Sequence, residues 1–179
     1  MDEILILVDE NDRQIGIGEK MDVHRRGVLH RCFSIFVFDG DGRVMLQKRA
    51  ASKYHSGGLW TNTCCGHPRD GEDVSAAAHR RLREEMGFDC ALDEIFTFIY
   101  RAELDHGLTE HELDHVYAGT YAGTLTPNPG EADGYSWEPI ALVRSDMAAH
   151  PERYTVWSRI AVAELLSRFP DYLQGGRRP

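Results

Sequence analysis

Residues 66–88 read GHPRDGEDVSAAAHRRLREEMGF, and the spacing within this stretch decides the fold. Gly66 is followed by Glu72, Arg80, Leu82, the pair Glu84 and Glu85, Gly87 and the apolar Phe88. Val74, Ala78 and Leu82 recur every fourth residue, which places them on one face of a helix predicted over Asp73–Met86, with Gly87 in the position of a C-terminal cap. Arg80 and Glu84, and Arg81 and Glu85, are neighbours on the exposed side of that helix. By itself this is an ordinary solvated helix with two ion pairs worth ~0.2–0.5 kcal/mol each. The glycine and acid at fixed distances ahead of it set the stretch apart.

Immediately upstream, residues 61–68 read TNTCCGHP, with two of the chain's four cysteines side by side. Further back, Ile4–Val8 reads as a strand followed by a turn at DENDRQIG. Cys32–Phe38 and Arg43–Arg49 are β-rich runs joined by DGDG, the plainest hairpin signal in the chain. Leu59–Cys65 reads as a short extended piece. Downstream, Leu92–Glu103 and Glu112–Tyr121 alternate apolar and polar residues around a loop at Asp105–Gly107. The loop TPNPGEADG then leads to a short strand at Tyr135–Glu138. After Pro139 the pattern is helical, and the last helix carries Val156, Ile160, Ala161 and Leu165; the tail GGRRP at 175–179 is expected to be disordered. Strands in the middle with flanking helices predict an α+β class, a mixed β-sheet sandwiched between α-helices, in one domain over residues 1–174.

Composition narrows the partners. The 179 residues are 42% hydrophobic and 27% charged, enough for one sizeable core. A net charge of −9 argues against nucleic acid and anionic membranes, so an anionic ligand would have to meet locally gathered cations or a metal ion. The opening MDEILILVDEND has neither the basic start nor the long apolar run of a signal peptide, and no stretch approaches transmembrane length. Cys32, Cys64, Cys65 and Cys90 show no CxxC spacing. Together these predict a cytoplasmic protein; the sequence leaves monomer or dimer open.

The stretch from Gly66 to Phe88 resembles the Nudix box, a loop–helix–loop whose helical acids hold divalent metal against a diphosphate. The chemistry is sound, because Mg²⁺ is usually shared between one or two carboxylates and substrate phosphates. One position departs from the hydrolase version of the box, which has Glu directly after the arginine where this chain has Arg81. That loses a metal-binding acid and adds a cation, which weakens the case for hydrolysis and strengthens that for gripping a diphosphate. TNTCCGHP followed by this altered box resembles the type 1 isopentenyl diphosphate isomerases, from the strand at Ile4 through Trp157. A diphosphate hydrolase of the same fold, or a non-catalytic diphosphate- or metal-binding module, is the alternative.

The resemblance implies a Nudix fold and a small-molecule diphosphate substrate, with neither nucleic acid nor membrane as partner. It makes Cys65 catalytic and leaves Cys64 to packing. It selects His24, His30 and His67 from the nine histidines, with Glu110 and Glu112 of TEHELDH, as ligands for Zn²⁺, Mn²⁺ or Mg²⁺. In a strand the two glutamates share a face while His111 points away. The resemblance assigns Lys20, Arg49, Lys53 and Arg81 to the diphosphate, and Glu85 with the backbone carbonyl of Cys65 to a Mg²⁺ that travels with it. Glu112, paired with Tyr100, would donate a proton to C4 and Cys65 would take one from C2, with the roles reversing in the other direction. Trp157 would turn its π face to the tertiary carbocation between these steps, an interaction worth ~2 kcal/mol or more when desolvated.

Overall fold

In the computed structural model, which describes residues 3–53 and 55–174, helix α2 spans Val74–Met86. Its first turn is closed by Asp73, whose carboxylate accepts from the Ala76 N–H at 3.0 Å. Its last turn ends at Gly87 in the left-handed region, φ 74° and ψ 17°. A Cβ at Gly87 would lie 2.2 Å from the Thr126 carbonyl oxygen, so the loop at 126 seats its backbone directly on the helix end. Ala77, Ala78, Leu82 and Met86 are buried against Phe33, Ile35, Val37, Met45 and Tyr117.

Those partners belong to a nine-stranded sheet: β1 (Ile4–Val8), β2 (Gln14–Glu19), β3 (His30–Phe38), β4 (Arg43–Arg49), β5 (Trp60–Thr61), β6 (Cys64–Gly66), β7 (Leu92–Glu103), β8 (Thr109–Thr120) and β9 (Ala132–Pro139). Three further helices are α1 (Lys20–Arg26), α3 (Ile140–Ala149) and α4 (Val156–Arg168). Strand alternation divides β3 between two cores. Phe33, Ile35 and Val37 face α2, while Phe36 and Phe38 face Ile140, Val143, Ala161, Val162 and Leu165 of α3 and α4. The sheet is thus sandwiched between helices, as expected. On the α4 side of β3, the residues preceding Phe36 at two-residue steps are Ser34, Cys32 and His30, all buried. One strand face is therefore apolar at one end and polar at the other, and the polar end is where the site forms.

The DGDG hairpin exists only at its tip. Asp39 N–H donates to Arg43 O at 2.9 Å, but a single residue pair, Phe38 with Val44, follows before the strands part. β3 then pairs with β6 and, in parallel, with β8 from His30↔Glu112 to Phe38↔Thr120; β4 pairs with β5 and β9. Thr63 fills the gap. The Val37 N–H donates to its hydroxyl oxygen at 2.9 Å, and that hydroxyl donates to the Met45 carbonyl at 2.8 Å. One side chain thereby satisfies backbone groups that a longer hairpin would have paired. The extended piece expected over Leu59–Cys65 is accordingly two short strands with different partners.

Other boundaries also move. β8 begins at Thr109, which brings Glu110 into the strand, and β9 covers Ala132–Pro139, longer than the run at Tyr135–Glu138. The residues read as a turn after β1 include the start of β2, followed by α1. Gly18 lets α1 approach the sheet, since a Cβ there would lie 2.6 Å from Val23 Cγ2. α1 is capped by Glu19, whose carboxylate accepts from Met21 and Asp22, and by Gly27 at φ 61°. The tail at 175–179 lies outside the described residues. No helix among the described residues is long and apolar enough to cross a membrane.

Candidate active site

A cavity of ≈ 370 Å³ opens where the polar end of β3 meets α1, β6, α2, β8 and the start of α4. Its deep end gathers imidazoles and carboxylates. His30 and Glu112 are register partners on β3 and β8, with Glu110 two residues earlier on the same face. His24 arrives from α1 and His67 from just after β6. The ligand-type atoms of His24, His30 and His67 lie within 4.8 Å of one another, as do those of His30, Glu110 and Glu112. His111, on the opposite face, has its Nδ1 3.0 Å from the Gly27 carbonyl.

Two of the rings are aimed by their backbones. His24 Nδ1 is 2.7 Å from Lys20 O and His30 Nδ1 is 2.9 Å from Val28 O. A carbonyl only accepts, so each Nδ1 carries a hydrogen and each Nε2 faces inward. His24 Nε2, His30 Nε2 and Glu110 Oε2 are buried without hydrogen-bond partners, although His24 Nε2 and Glu110 Oε2 are only 3.0 Å apart. Buried polar atoms in native proteins are nearly always satisfied. Three orphaned donor atoms converging on one point fit a divalent cation.

His67 and Glu112 are coupled. His67 Nε2 is 3.0 Å from Glu112 Oε1 and its Nδ1 is 3.4 Å from Glu3 Oε1. Burial alone would lower the His67 pKa, but the two carboxylates outweigh it and carry it to about 9. Glu112 is the mirror case: burial would raise it, and His30 and His67 hold it well below the usual carboxylate range. Its other oxygen accepts from the Tyr100 hydroxyl, which burial and the Glu112 charge keep protonated.

Cys65 lines the same cavity. The paired cysteines are explained by strand alternation: Cys64 points into the α2 core, fully buried, and Cys65 points to the site. Burial pushes the Cys65 thiol far up, and the nearby Asp114 carboxylate adds to the rise. The Sγ–H donates to Asn62 Oδ1 at 3.1 Å, and Sγ is 3.6 Å from Ser34 Oγ, which itself donates to Asp114 Oδ2 at 2.8 Å. Asp114, buried beside Glu112, has its pKa raised to about 7, by burial first and the Glu112 charge second. Trp157, at the start of α4, is 6% exposed and lines the cavity.

The mouth is cationic and already paired. Lys20 Nζ is 2.7 Å from Glu3 Oε2, Lys53 meets Glu131, and Arg81 meets Glu84, Glu85 and Glu131. Arg49 lies over the Trp157 ring at 5.1 Å from its centroid. Glu85 is buried; its second oxygen accepts from Gln47 Nε2 at 2.8 Å.

All the residues given a catalytic, binding or metal role from sequence except Tyr100 and His30 line the cavity; these two touch its wall through Glu112. Sequence reasoning missed Ser34, Asn62, Asp114, Gln47, His55 and Glu131. Asp114 was within reach, since EHELD carries the two-residue period one step beyond Glu112. Glu131 carried no signal, because only β9 pairing brings its loop to Arg81. His55 stands edge-on to Trp157, centroids 5.6 Å apart, and is held neutral with a pKa lowered to about 3 by burial and then by Arg49 and Lys20.

Fold and site together define a NUDIX-class protein. A NUDIX domain profile matches residues 28–158. A crystal structure of a Deinococcus radiodurans protein superposes with a TM-score of 0.76, covering 90% of this chain and 98% of that one at 20% identity. The MutT protein from Methanosarcina mazei gives 0.63, covering 78% and 94% at 14% identity. At such identities the likeness concerns the fold. The sequence relatives are nearer. "Isopentenyl-diphosphate Delta-isomerase 2" of Photorhabdus laumondii is 55% identical over 157 residues, 88% of this chain and 89% of the relative. "Isopentenyl-diphosphate Delta-isomerase 1" of Aromatoleum aromaticum is 51% identical over 167 residues, 93% and 94% of the two. The chain belongs to the isopentenyl-diphosphate Delta-isomerase family.

Proposed function

We propose that this chain interconverts isopentenyl and dimethylallyl diphosphate by adding a proton at C4 and removing one at C2, in isoprenoid biosynthesis in the cytoplasm, as one domain over residues 1–174. The observation that carries this reading is the placement of Cys65 and Glu112 on the walls of one cavity whose mouth holds Lys20, Arg49, Lys53 and Arg81. An isolated alkene is a very weak base, so its proton must come from a positioned acid in a dry site. The Glu112–Tyr100 pair supplies it, the proton being the one the Tyr100 hydroxyl shares with the Glu112 carboxylate. Cys65 takes the C2 proton in its thiolate form, which burial leaves unsolvated and therefore strongly basic, and between turnovers that proton returns through solvent to the Glu112–Tyr100 pair. Trp157 offers its ring to the tertiary cation, with Arg49 against it.

His24, His30, His67, Glu110 and Glu112 would hold a divalent ion, Mn²⁺, Zn²⁺ or Mg²⁺, and Glu85 with the Cys65 carbonyl a Mg²⁺ shared with the diphosphate. A metal there supplies positive charge that fixes Glu112 and tunes its acidity. Diphosphate binding has a local cost, because Lys53 and Arg81 must exchange Glu131 for phosphate oxygens.

The test is proton NMR of isopentenyl diphosphate incubated in D₂O with the protein, Mg²⁺ and a second divalent metal, with free phosphate assayed in parallel. Deuterated dimethylallyl diphosphate without phosphate release is the expected result. Phosphate release without rearrangement would move the activity to hydrolysis, and neither product would leave a binding module.

A further inference from the structure

A line of buried hydrogen bonds runs from the α4 indole to the β6 thiol through two residues with no role so far. Trp157 Nε1–H donates to Thr61 Oγ1 at 3.0 Å, the Thr61 hydroxyl donates to Asn62 Oδ1 at 3.1 Å, and the Cys65 thiol donates to the same Oδ1 at 3.1 Å. Thr61 is 2% exposed and Asn62 fully buried.

The direction of every bond is fixed from its ends. An indole nitrogen can only donate. The Thr155 side chain caps α4 by accepting from the Ser158 N–H, so its hydroxyl hydrogen is available to Thr61 Oγ1, 3.1 Å away. With two hydrogens arriving, Thr61 has only its own to give, and it goes to Asn62. The Asn62 amide cannot turn over, because its Nδ2 donates to Ile35 O at 3.2 Å and Cys64 O at 3.1 Å. Its oxygen is thereby held toward Thr61 and Cys65.

We infer that Thr61 and Asn62 are positioning residues that join the Trp157 indole and the Cys65 thiol into one rigid unit, so that the aromatic face and the acid–base group keep a fixed separation across the substrate. The inference rests on the proposed roles of Cys65 and Trp157. Thr61→Val keeps the shape of the side chain and removes its hydroxyl. A displacement of about 1 Å at a reacting group costs about 100-fold in rate, so T61V is expected to lower kcat about 10- to 100-fold with KM changed less than about 2-fold. Thr61→Ser restores the hydroxyl and most of the rate.

Trp157→Phe severs the same link from the other end while keeping an aromatic ring. If the link is the cause, the double variant T61V/W157F is no slower than the slower single variant; independent damage multiplies instead. Should T61V fold poorly, Thr61→Ala in its place, alone and combined with W157F, reads the same coupling. Wild-type kcat in T61V, or multiplying effects in the double variant, overturns the inference while inactivity of Cys65→Ala leaves the reading of the site standing. Full activity of Cys65→Ala overturns that reading first.

Discussion

At the closed end of the cavity the functional groups stand on register-paired strands. His30 and Glu112 face each other across the parallel β3–β8 ladder, and their ring and carboxylate are buried. At the mouth the groups stand at the ends of long side chains from α1, β4, a loop and α2, and Lys20, Lys53 and Arg81 are each paired with a carboxylate. The closed end is built for atoms that must not move; the mouth is built to exchange partners. On the roles proposed above, chemistry and binding fall to different kinds of structure, and variants at the two ends should have different kinetic signatures.

The largest effects are expected at the closed end. Cys65→Ala and Glu112→Gln should each cut kcat by about 1,000-fold or more, the scale of general acid–base groups, while the circular dichroism spectrum stays native. Full turnover in either, followed by NMR, would break the division. Chelation should be almost as severe: dialysis against EDTA should abolish turnover, and Mg²⁺ with Mn²⁺ or Zn²⁺ should restore it.

The mouth should yield to binding measurements instead. Arg81→Ala is expected to raise KM about 10- to 100-fold with a much smaller change in kcat, the usual scale for a charge-assisted pair. Glu131→Gln works in the opposite sense. It frees Lys53 in advance and takes one of three carboxylates from Arg81, and a partly exposed pair of this kind is worth about 1 kcal/mol, so KM should fall a few-fold, and less at high salt.

The smallest effect lies outside both ends. Hydrogen bonds from Arg80 hold the Glu72 pKa below its ordinary value. A folded-state pKa below the unfolded one adds stability above the unfolded pKa, and that stability is lost as pH falls through the folded one. Glu72→Gln should therefore flatten the acid limb of the melting-temperature profile below about pH 4.5, by less than about 1 kcal/mol.

Much of this was legible in the sequence because it depends on local periodicity. The helix spacing of Val74, Ala78 and Leu82 set α2, and the two-residue period of EHE set Glu110 against Glu112. What was hidden depends on partners far away in the chain. DGDG predicts a hairpin from its turn chemistry, but nothing local says that Thr63 will part the strands after one pair. Gly18 by itself signals flexibility, whereas its use is to let α1 lie close. Asn62 and Thr61 were in plain view beside the cysteines, yet their hydrogen-bond partners come from β3 and α4. A family resemblance supplied the ligand set; the orphaned nitrogens of His24 and His30 supply its physical reason.

The parallel register of His30 with Glu112 also bears on how the molecule comes together. The two residues are far apart along the chain, and a parallel pairing cannot form by zipping up a hairpin; it waits for a long segment to close. The ligand set is therefore complete only in the finished native state, and an ion that binds it adds its binding energy to that state alone. An ion held there would act as a fastener across these long-range contacts, so its removal is expected to lower the melting temperature as well as the turnover.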